Sequence, residues 1–269
     1  MNIFQNKEKQ LIAMIHVPAL PGTPMNELPI NQIVDVCLKE AEIYIENGIK
    51  VLAIENMHDT PYLLRNVGAE IISSMTAIGL KIKEKFNVAC GIQILAGANK
   101  QALAVAQAAG LDFIRAEGFV FAHVADEGIF QSDAGELLRY RKMINAENIF
   151  IYTDIKKKHS SHSITSDTDI AETAKAAEFF NSDGIILTGV STGAEPNIDE
   201  LKSVRAKVSL PLIIGSGMTA ENIEKFFPLA DGFIVGSYFK KNGYWKNELD
   251  KERISKFVKK FEDMKKDIG

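Results

Sequence analysis

Cysteine is scarce in this chain of 269 residues. Only Cys37 and Cys90 occur, both in apolar surroundings and without the spacing of a metal site. Two such thiols indicate buried side chains in a reducing compartment rather than a disulfide framework. A basic excess is also missing, because 31 Lys and Arg face 35 Asp and Glu and the net charge is −4. General nucleic-acid-binding proteins usually carry such an excess, so we expect no nucleic-acid partner.

Long apolar runs are absent as well. None approaches the roughly 20 residues that a transmembrane helix needs, so we expect no transmembrane segment. The opening MNIFQNKEKQ has neither an apolar signal core nor an arginine-rich amphipathic pattern, so we expect no targeting peptide. These features favour a cytoplasmic protein. They leave open whether it forms a homo-oligomer.

What the chain does contain is a repeated pattern of a short apolar run, a polar loop, a helical stretch and a tight connection. The runs are LIAMIHV, VLAIENM, VACGIQIL, DFIRAEGF, IFIYTDIK, GIILTGV, PLIIGSG and GFIVGSYF. Such runs, alternating with helices, are typical of βαβ units with parallel strands buried on both faces. About eight units predict an α/β fold, a (β/α)8 TIM barrel forming a single domain over residues 1–269. The alternative, a doubly wound open sheet, would have a Gly-rich first turn, whereas HVPALPGTP is proline-rich.

The connections leaving the predicted strands are longer and more varied than those entering them. FVFAHVADEGIFQSDA and KKKHSSHSITSD leave strands, whereas KFNVA and LADGF enter them. In (β/α)8 barrels the loops after the strands build the active face. The asymmetry therefore predicts a functional site at that end of the barrel.

Ionisable residues recur near the ends of the first five predicted strands. Side chains alternate along a strand, so Arg115 and Glu117 should share one face, as should Asp154 and Lys156. Unpaired buried charge is costly, so these groups should pair with one another or with a ligand. Structural ion pairs in the upper barrel layer are the alternative to a catalytic site. The catalytic candidates are His16, Glu55, Arg115, Glu117, Asp154, Lys156 and His159.

Several roles are open to these candidates. A carboxylate (Glu55, Glu117 or Asp154) can serve as base with His16 as partner acid, or Lys156 can act as a Schiff-base nucleophile if it is desolvated. Carboxylates beside Lys156 would raise its pKa and argue against the second role. A divalent metal on Glu55, Glu117 and Asp154, with His159 as a further ligand, is another alternative. No HxH or HExxH spacing supports it, and no other cofactor is indicated.

The ends of the last three predicted strands are rich in glycine and hydroxyl residues, in LTGVSTG, GSGMT and VGSYFK. Glycine lets backbone amides approach an anion, and loops after the seventh and eighth strands of such barrels commonly bind phosphate. Thr219 in TAENIEKF should cap a helix that points at the same place. We therefore predict a phosphate or other anion site, with close packing at barrel corners as the alternative. Its candidates are Thr188, Gly189, Thr192, Gly193, Gly215, Ser216, Gly217, Gly236 and Ser237.

Together, acid/base groups on one side of the mouth and an anion site on the other indicate an enzyme that acts on a phosphorylated small molecule. Isomerisation, epimerisation, aldol cleavage and hydrolysis all fit this layout.

Several motifs resemble those of the BtpA/SgcQ family. They are LIAMIHVPALPGTP, ENMHDTPY, RAEGFVFAHVADEG, LLRYRK, DIKKKHS, TGVSTGAEPN, IIGSGMTAENI and DGFIVGSYFKKNGYW, and they span nearly the whole chain. The resemblance implies a ribulose-phosphate-binding-like barrel. It also implies one of two functions, because SgcQ-like members accompany sugar-metabolism genes whereas BtpA-like members are photosystem I biogenesis factors. An enzyme of a sugar phosphate or nucleoside-like metabolite and a non-catalytic assembly factor for a membrane complex therefore both remain open.

Overall fold

The computed structural model describes residues 2–189 and 195–267. In chain order its strands are β1 (Gln10–His16), β2 (Val51–Glu55), β3 (Ala89–Gln93), β4 (Phe113–Ala116), β5 (His123–Ala125), β6 (Gly128–Phe130), β7 (Phe150–Asp154), β8 (Ser160–Ser161), β9 (Gly184–Leu187), β10 (Leu212–Ile214) and β11 (Gly232–Val235). Its α-helices are α1 (Ile30–Glu46), α2 (Ala69–Lys85), α3 (Asn99–Ala109), α4 (Ala134–Met143), α5 (Ile170–Phe179), α6 (Ile198–Arg205), α7 (Ile223–Phe226) and α8 (Lys251–Lys266).

Eight strands close into a parallel barrel in the order β1-β11-β10-β9-β7-β4-β3-β2. β1 completes the ring, because it pairs with β11 on one side, with Gln10 opposite Gly232, and with β2 on the other, with His16 opposite Glu55. The predicted (β/α)8 barrel is confirmed, and the open doubly wound alternative is wrong.

The helix ends follow from local chemistry. The side chain of Asp169 accepts a hydrogen bond from the backbone N–H of Glu172 at the start of α5, and Asp250 caps α8 in the same way. Gly110 ends α3 with a φ of +68°, a left-handed conformation that glycine adopts without strain. These signals set where the outer helices begin and end around the barrel.

The barrel interior is filled by alternate residues of its strands. Met14, Ala53, Phe113, Tyr152 and Ile213 belong to one buried cluster, which the aromatic ring of Phe4 closes from the N-terminal side. The residues between them face the helices and join the larger outer core. Since side chains alternate along a strand, the residue two positions beyond each inner member also points inward, one layer higher.

The loops after β4 and β7 are joined above the barrel. β5 and β6 form an antiparallel hairpin, and β8 pairs with β5 so that Val124 lies opposite Ser161. This three-stranded sheet covers one side of the mouth. In the described part of the chain, no helix combines the length and apolar character that crossing a membrane requires.

Candidate functional site

The uppermost layer inside the barrel is polar. It lies two residues beyond the apolar layer on each strand, and its members are His16, Glu55, Gln93, Arg115, Asp154, Thr188, Gly215 and Gly236. His16, Glu55, Gln93, Arg115 and Asp154 are all buried, at 7% exposure or less. The strand alternation used in the sequence prediction therefore brings these candidates together at the C-terminal mouth.

Arg115 and Asp154 form a bidentate ion pair. Arg115 Nε donates to Asp154 Oδ2 at 2.7 Å, and Arg115 Nη2 donates to Asp154 Oδ1 at 2.8 Å. Burial opposes the charge of Arg115, but Asp154 outweighs it and raises the pKa of the guanidinium above its ordinary value. Because both oxygens of Asp154 accept from Arg115, this carboxylate is occupied in holding the guanidinium in place. It is poorly placed to act as the base considered above.

His16 and Glu55 face each other on adjacent strands, with His16 Nε2 3.9 Å from Glu55 Oε2. On its other side His16 Nδ1 lies 3.3 Å from the backbone carbonyl of Trp245. A carbonyl only accepts, so Nδ1 carries the proton and Nε2 presents a lone pair toward Glu55. Burial, followed by the nearby charge of Lys240, lowers the pKa of His16 to about 3. Burial also raises the pKa of Glu55, although Arg115 opposes the shift.

Glu117 is buried at the same end of the barrel but belongs to a different cluster. Its Oε2 lies 3.5 Å from Lys157 Nζ, which also lies 3.4 Å from Glu127 Oε2 and 4.7 Å from the centre of the Phe130 ring. Burial raises the pKa of Glu117, and Lys157 opposes the shift. This cluster ties the loop after β7 to the hairpin after β4, and Glu117 does not line the cavity described next.

A cavity of about 140 Å³ opens at the mouth between the two groups of predicted residues. Acid/base candidates His16, Glu55 and Arg115 contribute part of its wall. The anion-site candidates that line the same cavity are Gly215, Ser216, Gly217, Gly236 and Ser237. Three of the acid/base candidates and five of the anion-site candidates therefore share one cavity.

The glycines on this wall have steric reasons to be there. A methyl group at Gly236 would lie 2.7 Å from His16 Nε2, and one at Gly215 would lie 2.6 Å from Ile186 Cγ2 and 3.1 Å from Arg115 Nη2. Close packing, the alternative to anion binding, is therefore sufficient to explain why glycine occupies both positions. Two polar groups beside these glycines are unused, because among the described residues the buried hydroxyls of Ser216 and Thr188 have no hydrogen-bond partner.

The predicted helix at TAENIEKF is shorter than expected. Thr219 Oγ1 accepts from the N–H groups of Glu221 and Asn222, both at 3.2 Å, so it caps a turn, and α7 itself has only four residues. A helix this short does not direct a useful dipole at an anion. Any anion site here depends on the glycine turns and neighbouring side chains instead.

Lys156 and His159 lie outside the cavity, and Glu117 and Asp154 do not line it either. Lys156 has a φ of +48° and its Nζ donates to the carbonyl of Thr168 at 2.6 Å, so it turns toward its own loop instead of sharing the face of Asp154. His159 has a φ of +54° and is exposed. β7 ends at Asp154, and the positive φ values beyond it interrupt the strand alternation on which the prediction depended.

Other candidates have mixed outcomes. Thr188 and Gly189 follow β9, and a methyl group at Gly215 would lie 2.8 Å from Thr188 Cγ2, so Thr188 adjoins the glycine wall. Thr192 and Gly193 lie outside the described residues. Across residues 2–189 and 195–267, no three His, Cys, Asp or Glu side chains are grouped as a metal site would need, so Glu55, Glu117 and Asp154 do not form the metal cluster considered above.

Two charged residues of the cavity were not among the predicted site residues. Lys158 lines the cavity beside Arg115, and Arg253 reaches it from the first turn of α8. Arg253 Nε donates to the carbonyl of Tyr238 at 2.6 Å, which holds the guanidinium over the Tyr238 ring. Lys158 stands in the DIKKKH motif and could have been found there. Nothing in the sequence connects α8 to the mouth.

Comparison with known sequences confirms the resemblance seen in the motifs. Residues 7–263 match the BtpA family. The chain is 51% identical over 267 residues to the uncharacterized protein F13E9.13, mitochondrial, of Caenorhabditis elegans, covering 97% of this chain and 96% of that one. It is 30% identical to the Photosystem I biogenesis protein BtpA of a Synechocystis species, over 96% of this chain and 90% of that one.

Solved structures show the same fold at low sequence identity. N-(5'-phosphoribosyl)anthranilate isomerase from Pyrococcus furiosus superposes with a TM-score of 0.59 at 14% identity, over 95% of this chain and all (100%) of that one. Thiamine phosphate pyrophosphorylase from Pyrococcus furiosus gives a TM-score of 0.58 at 14% identity, over 96% of this chain and 97% of that one. At such identities the likeness concerns the fold alone.

Proposed function

We propose that this chain, which belongs to the BtpA family, is an enzyme that acts on a phosphorylated small metabolite. One observation carries the proposal: the His16–Glu55 pair and the glycine turns after β10 and β11 line a single cavity. The solved structures named above include two proteins of the same fold whose names contain phosphorylated compounds. That likeness agrees with the proposal but does not carry it.

The phosphate would bind to the glycine wall. Ser216, Gly217 and Gly236 line the cavity and could offer backbone amides, whereas the Gly215 N–H already donates to the carbonyl of Leu187 at 2.8 Å, and the Ser216 hydroxyl supplies a further donor. Arg253 and Arg115 line the same cavity and provide positive charge. These are the groups that recognise a phosphoryl oxygen in proteins.

Proton transfer would be the task of Glu55, with His16 beside it. Burial keeps Nε2 of His16 unprotonated, and a pKa of about 3 makes it a weak base, so it would accept a hydrogen bond from the substrate rather than a proton. Burial raises the pKa of Glu55, and a carboxyl group with a raised pKa is suited to giving a proton to a substrate and taking it back. Arg115 would contact the substrate, with Asp154 positioning it.

Thermal unfolding with and without ligand tests the anion site. A phosphorylated compound at a hundred times its Kd should stabilise the protein by about 2.7 kcal/mol, which corresponds to a rise in Tm of roughly 5 to 10 °C. Inorganic phosphate and a panel of sugar phosphates are the ligands. Ser237→Asp should remove the shift by placing a negative charge in the cavity, whereas Ser73→Asp, on the exposed surface of α2, should keep it. Full shifts in Ser237→Asp, or no shift with any phosphorylated compound, would contradict the proposal.

The second candidate function is assembly or stabilisation of a membrane complex, which the similarity to the Photosystem I biogenesis protein favours. A protein that assembles a membrane complex would be expected to carry an aromatic docking surface, and Tyr244 and Trp245 are the candidates for one. Trp245 instead packs on His58, with ring centres 4.8 Å apart, and its carbonyl holds His16. Affinity capture distinguishes the two functions: a defined membrane complex retained equally by wild type and Ser237→Asp would favour the assembly role.

The location and assembly of the protein remain proposals. A cytoplasmic location is not supported by the C. elegans relative, whose name labels it mitochondrial. Homo-oligomer formation also stays a prediction, and light scattering of the purified protein would test it.

A further inference from the structure

The three consecutive lysines of DIKKKH have three different environments. Lys156 Nζ donates to the backbone carbonyls of Thr168 and Thr165 at 2.6 and 3.5 Å. Lys157 Nζ lies between Glu117 and Glu127. Lys158 is different, because it lines the cavity and, within the described parts of the chain, forms no ion pair.

The amino group of Lys158 is in an environment that favours its uncharged form. Burial lowers its pKa, and the neighbouring Arg115 lowers it further, while Glu55 and Asp154 oppose the shift. A lysine amine is nucleophilic only when unprotonated, and desolvation beside another cation is an established way to reach that state.

The cavity also supplies what a carbonyl reaction needs around such an amine. Glu55 lines the same cavity, and burial raises the pKa of this carboxyl group, which favours its protonated form. The glycine turns across the cavity offer a place for a phosphate, which would hold the substrate in one orientation. An amine, a proton donor and an anion site therefore surround one small space.

We propose that Lys158 forms a covalent imine with the carbonyl carbon of a phosphorylated aldehyde or ketone. This proposal deepens the function proposed above and rests on it, because it names the substrate class as carbonyl phosphates. The nucleophile considered from the sequence was Lys156, whose amino group the structure turns away from the mouth.

The step balances with groups that line the cavity. The Lys158 amine adds to the carbonyl carbon, forming a C–N bond, while the carbonyl oxygen takes a proton from Glu55. The nitrogen then returns one proton to the Glu55 carboxylate. That proton passes to the hydroxyl, which leaves as water as the nitrogen lone pair forms the C=N bond. The product is an iminium cation opposite the Glu55 carboxylate.

Borohydride trapping tests the imine without any assay of turnover. Wild-type protein is incubated with dihydroxyacetone phosphate or glyceraldehyde 3-phosphate, reduced with sodium borohydride and weighed by intact mass spectrometry. A reduced imine adds the mass of the probe less one oxygen atom. We expect one adduct per chain, on the peptide that contains Lys158. Dihydroxyacetone, which lacks the phosphate, should label at least roughly tenfold less, a difference worth about 1.4 kcal/mol.

Matched variants assign the adduct. Lys158→Met should lose it, and Lys156→Met, two residues away, should keep it. Peptide mapping of the wild type decides the site even if Lys158→Met folds poorly. Labelling of Lys156, or labelling spread over surface lysines, would overturn the proposal. Absence of any adduct while phosphate still raises the Tm would remove the imine but leave the anion site intact, whereas loss of both would remove the proposed function as well.

Discussion

Replacing Asp154 by Asn tests the polar layer most directly. Asp and Asn side chains have the same shape, but the two Asp154 oxygens now accept hydrogen bonds from Arg115 Nε and Nη2 at 2.7 and 2.8 Å. In Asn one of these oxygens becomes an NH2 group, which would place a donor against a donor of Arg115. The guanidinium cannot lose its proton, so its charge would stay buried without the carboxylate that now accepts two of its hydrogen bonds. Breaking a buried ion pair in this way costs about 3 to 5 kcal/mol. At about 2 to 4 °C per kcal/mol, the Tm should fall by roughly 6 to 20 °C.

The reverse substitution should behave differently. Arg115→Met leaves a buried Asp154, and burial raises the pKa of a lone carboxyl group, which can take up a proton and become neutral. Arg115→Met should therefore be less destabilising than Asp154→Asn, and the difference should grow as the pH falls. The double variant should be more stable than the sum of the single changes implies, by about 0.5 to 3 kcal/mol.

Urea unfolding of the four proteins at pH 7 and pH 5 measures these differences. Glu84→Gln is the control, because it breaks the exposed Lys81–Glu84 pair, whose N–O distance is 2.7 Å, and should cost at most about 1 kcal/mol. The reasoning fails if Asp154→Asn is no more destabilising than that control, or if the effects of the two single substitutions simply add.

Two further changes probe the same mouth. His16 has a pKa of about 3 in the folded protein against an ordinary 6.5, so its contribution to stability is present above pH 6.5 and is lost as the pH falls toward 3. When the pH is lowered from 7 to 4.5, the free energy of unfolding of the wild type should therefore fall by about 2.5 kcal/mol more than that of His16→Gln. Urea titrations at the two pH values measure this difference, and equal losses in the two proteins would contradict a neutral, buried His16. Gly236→Ala places a methyl group 2.7 Å from His16 Nε2 and 3.2 Å from Met14 Cβ, which should cost about 1 to 3 kcal/mol. Thermal unfolding measures the effect, with Gly135→Ala as the control. A methyl group at Gly135 would contact only the flexible end of Arg139, so this variant should be as stable as the wild type or more stable. An unchanged Tm in Gly236→Ala would show that the side chains around Gly236 can move to make room for the methyl group.

The barrel could be predicted from the sequence because period-two alternation and βαβ repetition are local signals. The same alternation correctly placed His16, Glu55 and Arg115 in one inward layer, two residues above Met14, Ala53 and Phe113. It succeeds wherever the strand continues to the residue in question. Registers such as His16 opposite Glu55 then follow from closure of the ring.

The rest of the site depends on backbone geometry beyond the strand ends. Lys156 and His159 have φ values of +48° and +54°, and the run of lysines and histidines in the sequence does not predict these positive values. These turns send Lys156 to its own loop and leave Lys158 on the cavity wall. Arg253 lies on α8, which begins after the last strand, so its position at the cavity depends on how α8 packs and cannot be predicted from strand alternation.

The charges at the mouth are divided between two kinds of group. Arg115 and Asp154 neutralise each other through two hydrogen bonds, which offsets the cost of burying both. In contrast, the pKa values of His16, Glu55 and Lys158 are all shifted toward the uncharged form, and burial is the largest cause of each shift. A substrate can reach groups in that state without first breaking strong ion pairs. The ligand proposed above fits such a cavity, because it would bring its own negative charge to the glycine turns and present an uncharged, reactive carbon to Glu55 and the Lys158 amine.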